Sequence, residues 1–129
     1  MNSKTAALVL STPKEKVFSY LSSIENLPRW ATEFCMELKV VDGKHKVATP
    51  MGELFFKVIS DEKTGVIDFF TGPTEDALGI LPLRVLALPG GGSVTTFTMF
   101  QSPNMDEENF NAQFQSLLKE MENIKRDVS

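Results

Sequence analysis

MDEENFNAQFQSLLKEMENIKRDVS, residues 105–129, reads as one amphipathic helix. Phe110, Phe114, Leu117, Met121, Ile124 and Val128 recur at helical spacing with Leu118 beside them, while Glu107, Gln115, Glu122 and Arg126 fall elsewhere on the wheel. Asn104 or Asp106 is placed to cap the helix. Asp106, Glu107 and Glu108 load its first turn, and Lys125 and Arg126 its last, each compensating the macrodipole by about 0.3–1 kcal/mol. Burial of the apolar stripe weighs more, roughly 1.5–3 kcal/mol for each large side chain. Such a face needs a partner surface. Between positions 34 and 101 the chain offers only strand-like runs and turns, so the expectation is one curved antiparallel sheet, closed by this helix over an apolar chamber.

Working back toward the N-terminus, residues 5–11 read as a first strand. Ser11-Thr12-Pro13 then supplies a cap and an early proline for a helix over residues 14–22, whose buried stripe is Val17, Tyr20, Leu21 and Ile24. Residues 24–30 read as a second short helix broken at Leu27-Pro28. Five turn signals follow and separate six strands: Asp42-Gly43, Thr49-Pro50-Met51-Gly52, residues 61–65, residues 72–76 and residues 89–93. The expected class is therefore α+β, in the order β-α-α-β-β-β-β-β-β-α, as one domain over residues 1–129.

Asp42-Gly43 suits a two-residue type I′ turn, which demands positive φ at both positions. It sets a register in which Val40 faces His45, Leu38 faces Val47 and Met36 faces Thr49 on one side, with Glu37, Lys39, Lys46 and Ala48 on the other. Apolar pattern and turn chemistry thus agree on the inner face, which Leu54, Phe56 and Val58 extend if the Pro50-Met51 turn is equally tight.

The composition, 42% hydrophobic and 23% charged with a net charge of -4, is that of a globular chain without an electrostatic footprint for nucleic acid. A single cysteine, Cys35, allows no internal disulfide and points to the cytoplasm. The apolar runs at residues 6–10 and 77–88 are too short for a secretory leader or a membrane span, so no membrane insertion is expected.

With that order of elements, Asn26-Leu27-Pro28-Arg29-Trp30 after the first helix resembles the START-like, or SRPBCC (Bet v 1-like), superfamily, whose helix-grip fold has the same layout. Thr49-Pro50-Met51-Gly52-Glu53, Gly65-Val66-Ile67-Asp68, Leu83-Arg84-Val85 and residues 97–105 are similar to the branch related to polyketide cyclases and dehydrases. The resemblance spans the whole chain and implies a cavity under the long helix. Members bind lipids, hormones or aromatic polyketides, and some are cyclases.

Several residues are candidates for the site. Asp68 lies in an otherwise apolar run, residues 66–70, where an inward carboxylate would have a raised pKa and act as a base. A five-residue loop over 61–65 turns it inward opposite Val58, and a four-residue loop turns it outward. Arg84 shares a face with Phe97 if the loop before the last strand is the four residues 89–92; it then anchors a ligand carboxylate or phenolate, or else pairs structurally with Asp68. His45, the only histidine, is expected near the tip of its hairpin as a mouth base or a solvated rim residue. Trp30 lines the entrance or packs the short helix, and Phe56, Phe97, Phe110, Phe114 and Leu117 are core residues that share the cavity wall. One histidine and one cysteine on opposite faces do not make a metal site, and no cofactor is implied. The glycines of Pro89-Gly90-Gly91-Gly92 lack the Lys-Ser/Thr of a phosphate cradle and read as a hairpin loop.

The leading functional reading is binding of a small hydrophobic or aromatic ligand between sheet and helix. The alternative is a polyketide cyclase or dehydratase in which Asp68 or His45 carries the proton and Arg84 steadies an enolate. A third class is a homodimerising or chaperone-like module using a sheet edge or the outer face around Phe55 and Ile59.

Overall fold

Asp42 and Gly43 take φ values of 53° and 78°, and the strands they join pair as their turn chemistry requires, Val40 against His45 and Leu38 against Val47. In the computed structural model, which describes residues 2–129, this hairpin is one end of a seven-stranded antiparallel sheet. The strands are β1 (Ser3–Leu10), β2 (Glu37–Val41), β3 (Lys44–Thr49), β4 (Gly52–Asp61), β5 (Val66–Gly72), β6 (Gly79–Ala87) and β7 (Ser93–Phe100). They lie in the order β1-β7-β6-β5-β4-β3-β2, so β1 and β2 are the free edges. Between β1 and β2 come α1 (Lys14–Ser22), a 3-10 turn (Ile24–Asn26) and α2 (Leu27–Trp30); α3 (Glu107–Val128) follows β7. The α+β helix-grip layout expected from the chain is the one observed, with β1 beginning two residues earlier than its apolar pattern suggests.

The core lies between the concave face of the sheet and the helices. Leu8, Ile67, Phe69, Leu83, Val85 and Phe97 point in from the strands, and Leu117, Met121, Ile124 and Val128 meet that core from α3. Asp106 caps α3 by accepting the Asn109 N–H at 2.7 Å. At the other end the Thr12 hydroxyl donates to the Val128 carbonyl at 3.1 Å, and the Ser93 hydroxyl donates to the Thr12 carbonyl at 2.8 Å, tying α3 to the ends of β1 and β7. Tyr20 on α1 donates to the Asp127 carboxylate, which this bond holds below the usual carboxylate range.

Two loop lengths decide which side chains face the core. Gly65 adopts φ 77°, and a Cβ there would lie 2.0 Å from the Val85 carbonyl oxygen, so only glycine closes this turn. Its N–H donates to the Asp61 carbonyl at 2.9 Å, leaving a four-residue loop and pairing Asp68 with Ile59 rather than Val58. Between β6 and β7 the Leu88 N–H donates to the Gly92 carbonyl, so Ala87 pairs with Ser93 and Arg84 with Thr96 rather than Phe97. Each register differs by one residue from the inward alternative, and each therefore turns its charged side chain to the convex face.

Candidate functional site

The space directly beneath α3 is filled. Trp30 is 2% exposed, stacks on Phe69 with ring centroids 6.0 Å apart and meets Phe97 edge-on at 6.4 Å, while Phe97, Leu117 and Met121 are likewise buried. The chamber expected there is thus replaced by a packed core, and Trp30, Phe97 and Leu117 belong to it. Phe110 is buried and Phe114 half-buried beside β1, where the Lys4 ammonium sits over both rings at 5.7 and 5.3 Å.

An open cleft of about 920 Å³ lies instead between the end of α1 and the β3–β4 side of the sheet. Its apolar surface comes from Ile24, Phe56, Val58 and Leu78, and its polar rim includes Ser22 and His45. The strand alternation explains the set: His45 on β3, and Phe56 and Val58 on β4, share the inner face. Val40, opposite His45 near the tip of the hairpin, is 63% exposed. Lys44 in the β2–β3 hairpin pairs with Glu75 in the β5–β6 connection at 2.5 Å, joining two lips of the cleft. Glu25, on the facing 3-10 turn, is held below the usual carboxylate range by its own backbone N–H and by the Ser23 hydroxyl at 2.9 Å, with a weaker pull from His45.

Asp68 and Arg84 are not in this cleft. They form an ion pair of 2.8 Å on the convex face, where the Arg84 guanidinium also donates to the Leu83 carbonyl. Of the expected site residues, the structure therefore brings His45 and Phe56 to one surface and directs Asp68 and Arg84 away from it. Cys35 is buried in the turn before β2, and burial with the nearby Glu120 charge pushes its thiol up, the opposite of nucleophile activation.

Glu120 was not among the expected residues. It is 5% exposed on the core side of α3, and its Oε2 accepts the backbone N–H groups of Glu33 at 3.1 Å and Phe34 at 3.0 Å. Burial pushes its carboxyl up to about 7 against the pull of those two donors. Its spacing, three residues after Leu117 and four before Ile124, is the signal that places it on the buried stripe.

The curved seven-stranded sheet gripped by a long C-terminal helix is the helix-grip fold of START-like proteins. No protein-family profile and no curated protein matches the chain in sequence. Solved structures do match in shape. The protein XoxI from Bacillus cereus superposes with a TM-score of 0.75 at 13% identity, over 99% of this chain and 96% of that one. The Aha1 dimer from Colwellia psychrerythraea gives 0.71 at 12% identity, over 99% and 96%. The di-domain ARO/CYC protein BexL of the BE-7585A biosynthetic pathway gives 0.75 at 12% identity, and this chain spans 46% of its length. At these identities the likeness is one of fold.

Proposed function

We propose that this protein is a single-domain binder of a small molecule with a hydrophobic or aromatic body, held in the cleft between α1 and the β3–β4 sheet. The observation that carries this reading is the open cleft of about 920 Å³ beside His45 and Val58, where Ile24, Val58, Leu78 and the buried Phe56 meet serine and charged side chains. Burial of the ligand's apolar surface drives binding, and the imidazole and serine hydroxyls at the rim orient it. The absence of a possible internal disulfide favours the cytoplasm as the setting. Among the described residues no helix is long and apolar enough to cross a membrane.

Calorimetry with a panel of aromatic acids and fatty acids tests the proposal. At least one class should bind the native chain and lose about tenfold or more in affinity in Val58→Trp, which fills the floor, as the loss of roughly 1.4 kcal/mol implies. A panel without binders, or equal affinity in the filled variant, contradicts it.

The cyclase reading keeps only His45 at the cleft, because Asp68 and Arg84 lie on the other face of the sheet. A homodimer is a second proposal, supported by the exposure of Ile59, Ile80 and Leu86 on the convex face and by the dimeric state of the Aha1 structure. Light scattering should then give twice the chain mass, reverting to one in Leu86→Lys; a monomer in the native chain removes this reading.

A further inference from the structure

The cleft opens beside a break in the sheet. β3 pairs with β4 only from Thr49 opposite Gly52 to Lys46 opposite Phe55, whereas β4 runs on and stays paired with β5 from Phe55 to Asp61. Alternation fixes where its backbone groups point. The Thr71 hydroxyl donates to the Phe55 carbonyl at 2.8 Å and the Gly65 N–H to the Asp61 carbonyl at 2.9 Å, so the odd-numbered residues of this stretch face β5. Val58 and Ser60 therefore turn N–H and C=O toward the side that β3 has left, where no strand lies opposite them. Gly43 and Lys44 at the hairpin tip form the other bank, and all four residues line the cleft.

We propose that this open edge makes the cleft selective for N-acylated apolar amino acids, whose amide pairs with the backbone of Val58. One extended ligand residue opposite Val58 completes both bonds of a ladder pair. Its amide N–H donates to the Val58 carbonyl, and its carboxylate accepts the Val58 N–H. In such a pair the two side chains lie on one face, so the ligand's apolar group packs inward beside Val58, Ile24 and Phe56.

Charge and length favour a single acylated residue over a longer strand. Lys44 is engaged by Glu75, and Glu25 accepts from the Ser23 hydroxyl. Lys57 also lines the cleft and makes no ion pair among the described residues, which leaves one cation for one carboxylate. The open edge offers two residues on the β3 side, Val58 and Ser60, about 6.8 Å apart along an extended strand. That is too short to seat an ordinary strand of about five or six residues from a second copy, and a short edge avoids the pairing with other chains that long edges invite.

This selectivity rests on the binding function proposed above, and a matched pair of ligands separates the two. N-acetyl-L-phenylalanine and O-acetyl-L-phenyllactate share the aromatic ring, the acetyl group and the carboxylate, and differ in an amide N–H against an ester oxygen. In calorimetry with the native chain the amide should bind about fivefold or more tighter. Hydrogen exchange read by NMR should find the Val58 and Ser60 amides fast in the free chain and those of Lys57 and Ile59 slow, with Val58 slowing about tenfold or more at saturating amide. Equal affinities, failure of both probes to bind, or unchanged exchange at Val58 overturns the selectivity; binding of other aromatic acids would then still support the cleft as a binding site. Slow exchange of Val58 and Ser60 in the free chain overturns it as well, and relief of that protection on dilution would identify a second copy on the edge.

Discussion

Glu120 occupies a place on α3 where a leucine would pack, and stability is expected to register its charge. Its carboxyl is raised from 4.5 to about 7 in the fold, so between those values the native state holds more protons than the unfolded chain. Stability from this group is complete below about pH 4.5 and is lost as pH rises through about 7, by up to about 3 kcal/mol. Urea melts should show that decline in the native chain and a flatter profile in Glu120→Gln. The Asp68–Arg84 pair makes the opposite kind of prediction. On a convex face, with the Arg84 side chain 43% exposed, a double-mutant cycle to alanine should give a coupling of about 0.2–1 kcal/mol and leave ligand affinity unchanged. Their orientation was not legible in the sequence, because a single residue in either hairpin loop reverses it. His45 was legible, since Asp42-Gly43 permits one register, and Glu120 was missed because a charged side chain masks a helical spacing that is otherwise apolar.

Among the elements, α3 has the strongest sequence signature and the clearest mutational expectation. Leu117 and Ile124 are buried against the core, so Leu117→Ala or Ile124→Ala should cost about 2–5 kcal/mol in chemical denaturation. Phe114, half-buried beneath Lys4, should cost less than Leu117 when truncated, and Asp106→Ala should cost about 1 kcal/mol through loss of the cap. The helix ends and stripe follow from local chemistry and were therefore readable. What α3 covers was not, because coverage depends on how far α2 inserts. Trp30 enters the core from a helix of only four residues and fills the space beneath α3 that a periodic pattern leaves undetermined.

Across the whole molecule the helices bury most of the inner face, Val47 and Phe56 on β3 and β4 included, and the cleft opens where the end of α1 stands off the sheet beside His45 and Val58. Seven strands and one long helix could be read from turns and apolar periodicity, whereas the pairing of β1 with β7 and the position of the opening emerge only when all layers are assembled. The proposed binding puts a ligand at this opening rather than under α3. Backbone amide NMR of the native chain, titrated with an amphipathic aromatic probe such as anilinonaphthalene sulfonate, separates the two locations. Shift changes should concentrate at Ser22, Ile24, His45, Val58 and Leu78; changes concentrated at Phe110, Phe114 and Leu117, or spread over Val9 and Leu86 on the convex face, overturn the proposed site.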